Sequence, residues 1–494
     1  MQTLEAKTTP AFSQTDWQRG YESQRQELSY FVDQITGTVP PELTGTLFRN
    51  GPGLLDINGE TIHHPFDGDG MVCAIAFQDG KVHFQNRFVR TEGYVKEQAA
   101  GKICYRGVFG TQKRGGWWAN LFDLQLKNIA NTNVIYWGNR LLALWEAGKP
   151  HRLDPHNLET IGIDDLDGIL GKGDAFSAHP RIDPACVFDN GQPCLVNFSL
   201  SAGPVSTLHL YELDPQGQLL RRKSQPIPGF AFIHDFAITP HYYLFFQNPV
   251  SFNPLPFLFG QRGAAECVQF QPDQETKIIV IPRDPASTQP MKMLKAKAGF
   301  VFHHANAWEI DEQHLGIDSI CYPSFPEVEP NSDFRDVDFT KVDPGQLWRF
   351  SLDLTTETAT ATMLESRCVE FPTLHPAYEG RPYRYAYCGT AQQSQGNAPL
   401  QALVKFDFEM GTKQFYSFAP QGFMTEPVFV PKPGATAEDA GWILMLVYDA
   451  ARHGSDLVIV DAADIAAGPI ASVHLKIHIP YGLHGNWTGE VFGE

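Results

Sequence analysis

The chain has 494 residues, is 43% hydrophobic and 12% aromatic with 35 phenylalanines, and carries a formal charge of −18. It can therefore bury a large core, while its charge excludes the basic face of a nucleic-acid binder and argues against charge-driven docking on anionic lipid. The eight cysteines are scattered with no C-x-x-C pair, and neither a leader-like apolar start nor a membrane-length apolar run occurs, so free thiols and a cytoplasmic, non-spanning protein are expected.

Residues 1–29 read as a polar N-terminal arm with a short helical piece, and 30–494 as a single all-β domain. Strand–turn–strand patterns recur along it. They are Val72–Phe77 with Lys81–Arg87, Asn133–Trp137 with Arg140–Glu146, and Thr207–Leu213 with Gln218–Lys223. Further on come Leu347–Leu354 with Thr358–Leu364, Leu403–Phe408 with Lys413–Phe418, and Trp442–Tyr448 with Asp456–Asp461. Helical signals are confined to Tyr94–Ala100 and parts of Gly115–Lys127. Hairpins spread this evenly suggest a β-propeller or a large sandwich, with no repeat signature to count blades.

The stretch from Pro228 to Thr239 reads as a strand that places Phe232, His234 and Phe236 on one face. An imidazole between phenylalanines needs a partner. Four of the seventeen histidines sit in such settings: His179, His234, His303 or its neighbour His304, and His484. The intervals of 55, 69 and 181 residues exclude a finger or HExxH site, whose ligands come from one element or its neighbour. They suit a propeller, whose blades project side chains onto one axis.

These segments, together with Phe48–Arg49–Asn50–Gly51–Pro52–Gly53, Phe66–Asp67–Gly68–Asp69–Gly70–Met71 and Glu426–Pro427–Val428–Phe429–Val430–Pro431, resemble the carotenoid cleavage oxygenases over nearly the whole chain. Lys127–Asn133 makes the likeness greatest to cyanobacterial apocarotenoid oxygenases. The resemblance implies a seven-bladed β-propeller capped by a dome of loops and short helices over an axial Fe(2+). The implied iron ligands are His179, His234, His303 and His484. His303 is selected over His304 by the family pattern Phe-His-x-x-Asn-Ala, matched at Phe302–Ala307. Neutral imidazoles suit a ferrous ion. Each ring must also pass its second N–H to a partner, and the resemblance assigns Glu146 to His234, Glu370 to His303 and Glu426 to His484, leaving His179 without a carboxylate.

The implied reaction uses O2 to break a conjugated C=C of an apocarotenoid, at the 15,15′ bond, into two carbonyls. It requires no acid–base pair. Stilbene-cleaving relatives carry a lysine before the equivalent of Glu146, where this chain has Trp145. Trp145, Phe66, Phe232, Phe302 and Leu400 are the expected pocket wall, and Thr132 matches a position beside the open iron site. A polyene must be drawn from a membrane surface, and Trp117, Trp118, Leu121, Phe257 and Phe259 are the expected apolar patch. Besides apocarotenoid, O2 and membrane, no nucleic acid and no obligate protein partner is expected.

Overall fold

The computed structural model describes residues 11–297, 299–325 and 333–493. Each of the six expected hairpins forms as an antiparallel pair; Asp69–Gln78 with Lys81–Phe88 and Asn133–Trp137 with Arg140–Leu144 are examples. The Asp79–Gly80 and Gly138–Asn139 tips have positive φ at both residues, as the tightest hairpin turns require. The expected helices appear as Glu92–Ala100 and the single turn Trp117–Asn120.

The strands form successive antiparallel sheets in a propeller-like arrangement. The first contains Ser29–Phe31, Lys81–Phe88, Asp69–Gln78, Gly45–Leu54 and Gly485–Thr488 in spatial order. Four-stranded sheets then run from Asn133–Trp137, Arg181–Asp183 and Val369–Thr373 outward, and an eight-stranded sheet lies between the last two. A six-stranded sheet from Gly422–Met424 to Ile35–Gly37 completes the set.

Because side chains alternate across a strand, each sheet has two apolar faces, and each face packs on the next sheet. Ile135 and Leu142 meet Leu195 and Tyr211. Phe198 meets Phe236 and Phe245. Tyr387 and Leu403 meet Ile443 and Val458. Leu47, Ile75 and Phe84 of the first sheet meet Leu444, Leu457 and Ile459 of the last, which closes the ring. The closure is also made by hydrogen bonds from both ends of the chain. Ile35–Gly37 pairs with Pro469–His474, and Gly485–Thr488 pairs with Gly45–Leu54.

One sequence expectation is corrected. The stretch read as one strand from Pro228 to Thr239 is broken: Pro228 closes the strand Leu219–Pro228, Gly229 makes a single bridge to Val205, and a ladder resumes only at Phe236–Ile238. Upstream, the Gln247 side-chain amide donates to the carbonyls of Pro228 and Phe230 at 3.0 Å each. A side chain thus takes acceptors that a neighbouring strand would use, and His234 lies on extended but unladdered backbone.

Leu444 is fully buried where the last sheet meets the first. Leu444→Ala should cost ~2–5 kcal/mol through the cavity it leaves. A thermal melt is the check, and an unchanged transition would contradict this account of closure.

Candidate metal centre

The four histidines are delivered by a common device. His179 lies just before the strand Arg181–Asp183, His234 just before Phe236–Ile238, and His484 immediately before Gly485–Thr488. His303 lies within Phe300–Glu309, where the register slips between Val301 and His304. That irregularity lets His303 and His304 turn to different surroundings. His304 hydrogen-bonds through Nδ1 to Ser319 Oγ at 2.7 Å and packs on Phe246, while His303 joins the other three.

One nitrogen from each of His179, His234, His303 and His484 lies within 4.8 Å of the rest. His179 and His234 approach to 2.8 Å through their Nε2 atoms, close to the spacing of two adjacent donors on an ion with metal–nitrogen bonds of about 2.1 Å. His303 Nε2 is buried with no hydrogen-bond partner. An unpaired polar atom inside the protein is costly. A cation shared by the four nitrogens removes that penalty, so the residues fit a metal ion.

Three of the rings are held from behind. Nδ1 of His234 donates to Glu146 at 2.7 Å, that of His303 to Glu370 at 2.6 Å, and that of His484 to Glu426 at 2.7 Å. Among the described residues no carboxylate backs His179. Each such bond fixes the ring's orientation and directs Nε2 inward. The carboxylates are anchored in turn. Glu370 accepts from the Tyr322 hydroxyl at 2.7 Å and the Phe371 amide at 2.6 Å. Glu426 accepts from Arg49 Nη1 at 2.5 Å and the Gly485 amide at 3.0 Å.

The electrostatics follow these contacts. Burial, then the facing imidazoles of His234, His484 and His303, hold His179 well below the usual histidine range. Burial also lowers His484, against the pull of Glu426. At His303 burial acts downward, but the Glu370 carboxylate outweighs it and raises the ring. Burial alone would raise Glu370 and Glu426; their imidazole partners, with Arg49 at Glu426, hold both below the usual carboxylate range. Ionised carboxylates behind the rings are what a metal site needs to orient its imidazoles.

Two cavities lie at the site, one lined by the rings and one beside it, with Phe371 bordering both. One of about 140 Å³ includes Asn133, Arg181 and Asp235 in its lining, with His179, His303 and His484. The other, about 370 Å³, is mainly apolar and includes Phe66, Phe302, Phe371 and Leu400. Of the expected wall residues, Phe66, Phe302 and Leu400 therefore line one chamber. Phe232 packs instead on Phe300 and Phe325, and Trp145 is buried against Gly148. Thr132 accepts from the His484 amide through its carbonyl at 3.1 Å, and its hydroxyl bonds Asn131.

The sequence reading did not single out Tyr322, Phe371, Trp17, Tyr21 or Tyr481. Trp17, Tyr21 and Tyr481 line the larger cavity; nothing local marks the first two, which come from the N-terminal arm, while Tyr481 stands in the aromatic, Pro- and Gly-rich stretch before His484 and was given no role. Arg49 stood inside a quoted motif, and its role emerges only once Glu426 is seen beside it.

The expected surface residues form one neighbourhood. Trp117 and Trp118 stack at 3.9 Å and are 45% and 69% exposed, and Phe259 is 43% exposed. Leu121 and Phe257 are half-buried, with Arg106 over the Phe257 ring at 4.1 Å. The Phe122 amide donates to the Leu258 carbonyl at 2.9 Å, which ties the two segments together. Among the described residues no helix is long and apolar enough to cross a membrane.

This arrangement has known counterparts. The family model described as RPE65, retinal pigment epithelial membrane protein, matches residues 21–489, and the chain belongs to this family, the carotenoid oxygenases. It is 60% identical to the apocarotenoid-15,15′-oxygenase of Synechocystis over 97% of both chains. It is 30% identical to the lignostilbene-α,β-dioxygenase isozyme III of Sphingomonas paucimobilis, covering 92% of this chain and 93% of that one. Cobalt-substituted Synechocystis ACO superposes with a TM-score of 0.95 at 59% identity, over 97% of this chain and all of that one.

If the carboxylates hold the rings in place, Glu370→Gln should weaken metal binding by about 10–100-fold. Cobalt titration against a competing chelator measures this; unchanged affinity would mean that Glu370 does not support His303.

Proposed function

We propose that the protein is a non-haem Fe(2+) dioxygenase that cleaves an apocarotenoid at its 15,15′ double bond with O2, giving retinal-type aldehydes. The observation that carries this reading is the four-histidine cluster, backed by three glutamates, with an apolar chamber beside it that shares Phe371 with the histidine-lined cavity. The 60% identity to an apocarotenoid-15,15′-oxygenase supports the substrate class, and cobalt in the Synechocystis counterpart supports occupancy by a divalent transition metal. A ring of seven blades is the accompanying reading of the fold. The eight-stranded sheet is joined only where Lys295 pairs with Thr358, and parting it there leaves two four-stranded units.

In this reading His179, His234, His303 and His484 hold the ion, and Glu146, Glu370 and Glu426 hold three of the rings in the tautomer and orientation that turn Nε2 inward. A bound ferrous ion supplies the ability to activate O2 beside the polyene. With only neutral nitrogen donors, the site supplies no anionic ligand to favour the ferric state. Phe66, Phe302 and Leu400 exclude water and hold a flat hydrocarbon, in a cavity within the ~300–1,000 Å³ common for small ligands. Thr132, its hydroxyl tied back to Asn131, restricts access beside His484. Phe232 supports the wall from behind, through the phenylalanine cluster it shares with Phe302. Trp145, next to Glu146, puts an apolar ring where stilbene cleavage would call for a cation.

The exposed aromatic neighbourhood of Trp117, Trp118, Leu121, Phe257 and Phe259 is read as the contact through which a cytoplasmic protein draws substrate from a membrane. Indole rings beside Lys113 and Arg114 are the mixture that settles at a lipid–water boundary.

Two experiments test these readings. Iron-loaded protein is incubated with a defined apocarotenal or a hydroxystilbene, and the products are identified by mass spectrometry. Paired aldehydes from central cleavage of the apocarotenal are expected; cleavage of the stilbene alone would replace this reading with the phenolic one. Replacing Trp117, Trp118 and Leu121 together by Ser should lower liposome binding with metal content unchanged. Full liposome binding by that variant would remove the membrane contact.

A further inference from the structure

Away from the histidines, Asp183, Cys186 and Cys194 are all buried and bring their donor atoms within 4.8 Å of one another. Asp183 ends one strand and Cys194 begins the next, as register partners. Cys186 opens the turn between them. Its amide donates to the Gln192 carbonyl at 2.9 Å, and its carbonyl accepts from Asp189 and Gly191 at 3.1 and 3.0 Å. The turn folds back on itself and carries one sulfur to the other.

The surroundings decide which chemistry this pair supports. Arg221 Nη2 lies 3.2 Å from Cys186 Sγ. Arg283 Nη2 lies 3.8 Å from Cys186 Sγ and 3.7 Å from Cys194 Sγ. Asp183 is already paired with Arg283 at 2.8 Å and Arg381 at 2.9 Å. Glu212, also beside both sulfurs, is held by Arg221, by Arg283 at 3.0 Å and by the Tyr243 hydroxyl at 2.5 Å. A metal ion would have to enter among guanidiniums that already occupy the carboxylates, and like-charge repulsion is strong at low dielectric. The same guanidiniums favour a thiolate. The hydrogen bond from the Cys194 thiol is the main influence lowering Cys186, against burial, and the Cys194 thiol is correspondingly raised. Both sulfurs are buried, and the neighbouring group that reaches solvent is the Arg221 side chain, 16% exposed, with the Phe188 ring packed on its guanidinium at 4.7 Å.

We propose that Cys186 and Cys194 form a peroxide-oxidisable dithiol, with Cys186 as the attacking thiolate and Cys194 as the resolving thiol. The Cys186 sulfur attacks an oxygen of a hydroperoxide and the O–O bond breaks. The alcohol, or water from hydrogen peroxide, leaves with a proton, and Cys186 becomes a sulfenic acid. The Cys194 sulfur then attacks that sulfur, the S–O bond breaks, water leaves with the thiol proton, and a disulfide forms. Two thiols lose two electrons in total and the hydroperoxide gains them.

The test treats the purified full chain with hydrogen peroxide, alkylates it under denaturing conditions and maps its peptides. The expected result is the loss of two of the eight free thiols and a crosslinked peptide joining Cys186 to Cys194. Cys194→Ser should instead accumulate sulfenic acid on Cys186, captured by dimedone. Retention of both thiols while the half-buried Cys104 oxidises would overturn the proposal, as would zinc bound stoichiometrically by this pair. The wild-type peptide map requires no variant to fold.

Discussion

Everything in the molecule answers to the cost of crowding four buried imidazoles around one point. Hydrogen bonds relieve only part of that cost: the Nε2 atoms of His179 and His234 meet at 2.8 Å, but that of His303 has no partner. Only a framework too stiff to splay can keep such a cluster together before a cation arrives. A closed ring of sheets is that framework. Each histidine is rooted at or beside the inner strand of a different sheet or sheet half, so moving one ring away requires disturbing the packing between neighbouring sheets.

The carboxylates complete this preorganisation. Glu146, Glu370 and Glu426 meet the outer nitrogens of His234, His303 and His484 at 2.6–2.7 Å, and Tyr322 and Arg49 fix two of them in turn. The rings line a polar space bordered by Arg181 and Asp235, and Phe371 borders both that space and an apolar one walled by phenylalanines and leucine. Polar and hydrocarbon-compatible surroundings thus lie close to the same histidine cluster, which suits the oxygenase family to which the chain belongs.

Much of this was legible in the sequence. The hairpins were readable because Asp79–Gly80 and similar pairs mark tight turns between alternating strands. The histidines were readable because aromatic neighbours make an exposed role improbable and because their motifs resemble a family. The extent of the strand before Phe236 was not readable, since it depends on Gln247 capping carbonyls nineteen and seventeen residues away. Likewise Trp17 and Tyr21 look like residues of a polar arm, and only the tertiary fold brings them against Tyr481. Local pattern carries strand periodicity and turn chemistry; it does not carry which distant side chain will occupy a backbone acceptor or wall a cavity.

The two ends of the chain are laced across one seam: an early strand completes the final sheet and a late strand completes the initial one. His484 sits directly before that late strand, with its carbonyl bound by the Asn50 amide and its own amide bound to Thr132. The fourth imidazole is thus placed by the same backbone hydrogen bonds that fasten the seam, so any loosening of the seam would draw His484 away from the other three nitrogens.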